Sequence, residues 1–223
     1  MKIFTTITPA FETACDTWLV ASLLEVEPGV ELSIECFGAI RGTTDFQSFP
    51  FKLHNHQKNL RLVEWIRNHE GEVIFITDSD IIYVRPFLEE LEAELGDADL
   101  ALAMERLDDA YNIGQMVVRC SEATARFFQS VGVELERGAW DQEAINRLLP
   151  GSGLAVKMLS RRFANTAVWE ALAPAERTCI LSYHATGTDP RDGKSSLELK
   201  QECFDRVLAE WRALTSTATA SVE

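Results

Sequence analysis

The stretch VIFITDSDIIYVRPF, from Val73 to Phe87, carries two kinds of information side by side. Residues 73–77 are an almost continuous apolar run, the pattern of a strand buried on both faces. Asp78 and Asp80 follow at once. A buried strand that ends in acids presents them at the carboxyl edge of an α/β sheet, where such folds receive ligands. Two carboxylates this close repel each other and are costly to bury. A hard divalent cation neutralises both and keeps open positions that a diphosphate can fill. The plainer alternative is a strand end whose Asp residues cap a turn.

Upstream, KIFTTIT (2–8) and VELSIECFG (30–38) alternate as strands, and residues 11–25 form a helix between them, closed by Pro28-Gly29. Residues 38–50 are rich in Gly, Thr, Ser and Pro and read as a loop, followed by the polar string KLHNHQK. Residues 57–68 place Leu60, Val63, Trp65 and Ile66 at helical spacing. Downstream, FLEELEAEL is a short acidic helix, ADLALAME, GQMVVRC and LAVKMLS are strands, and SEATARFFQSV is a helix with a Ser cap. Residues 140–149 and 195–214 form further helices. Strands joined by crossover helices give an α/β fold with helices flanking one sheet. A single domain over 1–214 is expected, with the polar residues 215–223 as a flexible C-terminal tail.

The 223 residues, 46% of them hydrophobic, suffice for one sizeable core. A net charge of −14, from 21 basic and 35 acidic residues, excludes nucleic acid or an anionic membrane surface as the main partner. Any bound phosphate has to be held by a few placed cations or a metal. No apolar run reaches membrane-spanning length, so the expected location is cytoplasmic. Five dispersed cysteines, with no CxxC, read as reduced packing thiols.

The DxD run, with the apolar stretch and Pro86-Phe87 behind it, resembles the corresponding segment of nucleotide-diphospho-sugar transferases with the GT-A fold. Three later segments are similar to that family in the same order. They are Asn112-Ile113-Gly114 before a strand, Trp140-Asp141-Gln142 at a helix start, and the His-x-x-Gly of His184 to Gly187. The resemblance spans roughly residues 2–194 and implies a GT-A, Rossmann-like fold with a mixed, mostly parallel sheet. It also implies a glycosyltransferase that uses Mn²⁺ or Mg²⁺ and a nucleotide-diphosphate sugar, in particular a UDP-sugar. The sugar would pass to a hydroxyl acceptor (a glycan, a lipid-linked sugar or a small molecule) with retention of configuration.

Residue by residue, the resemblance implies Asp78, Asp80 and His184 as metal ligands, with Asp78 and Ser79 also at the nucleotide. Thr5, Thr6 and Thr8, at the end of the first strand, would meet base and ribose, and Lys58 would touch donor phosphate or ribose. Asn112, Asp141 and Gln142 would face the transferred sugar, with Asp141 and Gln142 as the catalytic candidates. Trp140 offers a surface for a sugar ring, and Glu105, Asp108 and Asp109 offer further carboxylates. Gly187 would let backbone approach a phosphate. Related enzymes carry a lysine soon after that glycine; here Arg191 and Lys194 are the candidates for that cation. Two rival functions use the same residues. One is a non-catalytic nucleotide-sugar-binding member of the fold. The other is a haloacid-dehalogenase-type phosphatase with the first Asp as nucleophile, although that family places DxD on its first strand.

Overall fold

A computed structural model describes residues 1–40, 48–106, 110–188 and 190–220. Its strands are β1 (Lys2–Ile7), β2 (Glu31–Cys36), β3 (Val73–Thr77), β4 (Ile81–Tyr83), β5 (Leu100–Met104), β6 (Tyr111–Arg119), β7 (Val156–Met158), β8 (Phe163–Asn165) and β9 (Ser182–His184). Its α-helices are α1 (Glu12–Cys15), α2 (Ala21–Val26), α3 (Phe49–Asn68), α4 (Leu88–Leu95), α5 (Glu122–Glu136), α6 (Asp141–Leu148), α7 (Thr166–Ala171), α8 (Pro174–Arg177) and α9 (Ser196–Ala220).

Six strands form the main sheet in the order β2-β1-β3-β6-β5-β7. Only β6 runs against the others, pairing antiparallel with both β3 and β5. The mixed, mostly parallel α/β sheet expected from the sequence is therefore present. Alternation along β3 explains its continuous apolar run: Ile74 and Ile76 pack with Leu62, Ile66, Phe128 and Val131 on one face. Phe75 packs with Leu19, Leu23, Leu91 and Leu95 on the other. Burying each such side chain contributes about 1.5–3 kcal/mol.

A second, three-stranded sheet has the order β4-β9-β8. Its register pairs Ile81 with His184. The chain leaves the main sheet at Thr77 and enters the small one at Ile81, so the DxD residues bridge the two sheets. Pairing of β4 with β9 closes a loop of about a hundred residues and brings the far end of the chain beside Asp80.

Four features differ from the sequence expectations. Helix α3 starts at Phe49, not at 57, capped by Ser48, whose hydroxyl accepts from Phe51 N–H at 3.2 Å, with Pro50 in the first turn. Its first half buries Asn55, Lys58 and Asn59, so no apolar periodicity marks it. The helix expected over 11–25 is interrupted by a π-turn at Asp16–Val20. Strands β4, β8 and β9 are three residues each, too short for an alternating pattern to register. Finally, α9 continues to Ala220, beyond the expected end at Leu214, and the hydroxyls of Thr215 and Ser216 donate to carbonyls one turn back. Among the described residues no helix is long and apolar enough to cross a membrane, and the five cysteines are free.

Candidate metal and donor site

A cleft of about 510 Å³ opens where the two sheets meet. Thr6 and Thr8 from the end of β1, His54, Asn55 and Lys58 from α3, and Asp78, Ser79 and Asp80 line it. So do Glu105, Asn112, Gly114, Trp140, Asp141, Gln142, His184, Gly187 and Lys200. Most of the expected site residues thus converge on one cleft.

Three do not line it. Successive strand side chains point to opposite faces, which turns Thr5 away from the wall that holds Thr6. Arg191 and Lys194 close an exposed turn by mutual backbone hydrogen bonds, and Lys194 is paired with Glu202 at 2.5 Å. Asp108 and Asp109 lie outside the described residues.

At the bottom of the cleft, Asp78, Asp80 and His184 each offer a ligand atom, all within 4.8 Å of one another. His184 Nε2 is 3.2 Å from Asp80 Oδ1 and 3.8 Å from Asp78 Oδ2. The other ring nitrogen, Nδ1, is 3.2 Å from Asn112 Oδ1. That oxygen also accepts from Gly114 N–H at 2.9 Å, while Asn112 Nδ2 donates to Glu105 at 2.6 Å. An oxygen there requires Nδ1 to donate. The other nitrogen, Nε2, then faces two carboxylates. Three acceptors facing one point call for a cation or a second ring proton. The donor set, two carboxylates and an imidazole oriented by an outer amide, fits a divalent ion.

Gly114 makes this seat possible. A Cβ there would lie 2.3 Å from His184 Cε1 and 2.5 Å from its Nδ1, a distance no side chain tolerates. The glycine of the Asn112-Ile113-Gly114 segment is thus needed for close approach of the ring to β6. At Gly187 the requirement is conformational: its φ is +68°, with open space where a Cβ would stand.

Charges in the cleft are tightly matched. Lys58 Nζ is 2.5 Å from Asp78 Oδ1, and Lys200 Nζ is 2.6 Å from Asp80 Oδ2 and 2.8 Å from Ala185 O. Burial opposes ionisation of Asp80, but Lys200 and then His184 outweigh it and hold its carboxyl far below the usual range. Burial also works against the Lys58 ammonium, and Asp78 and Asp141 more than offset it, so its pKa lies above the ordinary value. Burial pushes the Asp141 carboxyl up against the pull of Lys58, with Asp78 adding to the rise. Asp141 accepts from Asn55 Nδ2 at 3.1 Å. At the β1 end, His54 Nε2 is 3.3 Å from Thr6 Oγ1. Burial, helped by Lys58, lowers its pKa to about 4. Among the described residues, Thr8 Oγ1 and His54 Nδ1 are buried with no hydrogen-bond partner, as in a wall built for a polar ligand.

Sequence reasoning missed His54, Asn55 and Lys200. The first two belong to the polar stretch that hid the start of α3. Lys200 lies within an amphipathic helix, where its spacing does not set it apart from surface lysines.

The fold and this cleft define an α/β domain of GT-A type, with an acidic cluster at the sheet edge beside a polar ligand wall. The model of the nucleotide-diphospho-sugar transferase family matches residues 65–197, more than half of the 223, and the chain belongs to that family. Among solved structures it is similar to the galactosyltransferase LgtC in complex with donor and acceptor sugar analogues (13% identity, TM-score 0.62, 96% of this chain and 100% of that one). It is also similar to the glycosyltransferase GlyE of Streptococcus pneumoniae TIGR4 (12%, 0.61, 99% of this chain). A third is a glycosyltransferase involved in the glycosylation of the major capsid of PBCV-1 (12%, 0.61, 91% and 98%). The chain spans 64% of the GlyE chain. No curated protein sequence matches it. The family assignment leaves the phosphatase reading of the DxD pair without support.

Proposed function

We propose that the chain transfers a sugar from a nucleotide-diphosphate sugar, with UDP as the nucleotide, to a hydroxyl acceptor with retention of anomeric configuration. The observation that carries the proposal is the convergence of Asp78, Asp80 and His184 within 4.8 Å in a cleft that also holds Asp141 and Gln142. In this reading Asp78, Asp80 and His184 hold Mn²⁺ or Mg²⁺, and Ser79 lies beside the nucleotide. Thr6, Thr8 and His54 meet ribose and base, Lys58 meets the donor phosphate, and the backbone at Gly187 approaches a phosphate. Asn112, Asp141 and Gln142 bind the sugar, and Trp140 lies along its ring. When bound, the divalent ion stabilises charge on the departing diphosphate. In the same reading Asp141, held by Asn55 and beside Lys58, is the candidate for the residue near the anomeric carbon. A cytoplasmic site of action accords with five free cysteines.

Calorimetric titration of UDP and GDP, with and without Mn²⁺, tests the reading on the wild type and on Asp80→Ala. Metal-dependent binding by the wild type, lost in the variant, is the expected result. Failure of both nucleotides to bind in the presence of metal, or equal binding by the variant, refutes it. A donor panel with chelator controls then identifies the sugar, since removing metal with EDTA should abolish transfer.

A further inference from the structure

Each carboxylate of the DxD pair is divided between two roles. Asp78 gives Oδ1 to Lys58 and turns Oδ2 toward His184 Nε2. Asp80 gives Oδ2 to Lys200 and turns Oδ1 toward the same nitrogen. Both lysines are buried, at 7% and 8% exposure, and come from two helices far apart in the chain, α3 and α9. Burying an ammonium is expensive unless it is paired. Here the pairing brings the two acids and two lysines to zero net charge before any metal arrives.

A divalent ion entering alone would carry two positive charges into a low-dielectric cluster already balanced by two ammoniums. A divalent ion accompanied by a nucleotide diphosphate brings its own negative charge, and that charge finds Lys58 and Lys200 within the cleft. Resting on the donor reading above, we infer that Lys200, together with Lys58, is a resident counter-ion that makes the acidic cluster reject a bare divalent ion and accept one with a nucleotide diphosphate. Lys200 thereby takes the place expected for Arg191 or Lys194, neither of which reaches the cleft. It binds the diphosphate and couples metal affinity to nucleotide affinity. By linkage the coupling is reciprocal.

The test is titration of Mn²⁺ into the wild type and into Lys200→Met, each without nucleotide and with saturating UDP or GDP. In the wild type, nucleotide should tighten Mn²⁺ binding at least about tenfold, within the usual span of coupling between sites. In Lys200→Met, Mn²⁺ alone should bind about tenfold more tightly than to the wild type, because an opposing charge has gone. With nucleotide present it should bind about tenfold more weakly than to the wild type, because a phosphate partner has gone. A lysine that merely holds the fold together would leave Mn²⁺-only affinity unchanged or lower it in the variant, and that result overturns the inference. Should Lys200→Met not fold, Lys58→Met is titrated in the same way and the same two directions are required. The wild-type coupling is decisive on its own, since equal Mn²⁺ affinity with and without bound nucleotide refutes the idea. If neither UDP nor GDP binds the wild type with Mn²⁺, the donor reading fails and takes this inference with it. If they bind and Lys200→Met leaves Mn²⁺-only affinity unmoved, this inference alone fails.

Discussion

Asp78 and Asp80 are two residues apart, yet they belong to different regions of the molecule. Asp78 ends the main sheet, where its N–H donates to Gly114 O at 2.8 Å and its side chain is held by Lys58 of α3. Asp80 opens the small sheet, where its carbonyl accepts from Ala185 N–H at 3.2 Å and its side chain is held by Lys200 of α9. Side-chain exposure falls from 30% to 15% between them. The first acid is thus held by α3 and β6, the second by α9 and the segment after β9, and His184 faces both. One motif therefore joins the two sheets, and His184 is where they meet.

The largest effect is expected at the more buried acid. Asp80→Ala should abolish metal-dependent nucleotide binding and, by leaving Lys200 buried and unpaired, cost about 3 kcal/mol of stability. Asp78→Ala should abolish the same binding with a clearly smaller loss in denaturant melts, since Lys58 keeps the Asp141 carboxyl beside it. Equal losses would erase the distinction between the two regions. Next is Gly114→Ala, which drives a methyl into His184 at the seam between the sheets. It should lower Mn²⁺ affinity in the presence of nucleotide by at least about tenfold and destabilise the fold by about 1–3 kcal/mol, as overpacking does. Asn112→Ala removes the acceptor that orients Nδ1 and should weaken metal binding by about 10- to 100-fold, as loss of such outer partners does. Its signature is a changed His184 tautomer in nitrogen NMR.

The smallest effect is at the β1 end of the cleft. His54 has a folded pKa of about 4, below its ordinary value near 6.5. The neutral ring is therefore the folded form. The stability this confers is complete above about pH 6.5 and is lost as pH falls toward about 4. His54→Gln should flatten that part of the pH–stability curve, measured by urea melts between pH 7 and pH 4.5.

How much of this was legible without coordinates depends on where the signal lies. The strand β3 and its acids are local, with an apolar run long enough to bury both faces and two carboxylates at its end. Asn112, Asp141 and His184 were found by motif order, and they converge. Helix α3 was half hidden because Asn55, Lys58 and Asn59 are polar and buried, so the face that builds the cleft lacks the apolar period of a packing face. The family resemblance points to a cation soon after Gly187, which makes Arg191 and Lys194 the candidates, but neither lines the cleft. The turn of that loop faces solvent, and the helix behind it delivers Lys200.

By itself, the sequence determined an α/β chain with an acidic pair at the end of a buried strand; that a histidine far downstream joins the pair was implied only by the family resemblance. Periodicity and charge repulsion are properties of neighbouring residues and need no coordinates. Only the tertiary structure decided which side chains neutralise that pair. The choice rests on the register of β4 against β9 and on which face of α9 turns inward, and both are settled by packing between segments about a hundred residues apart.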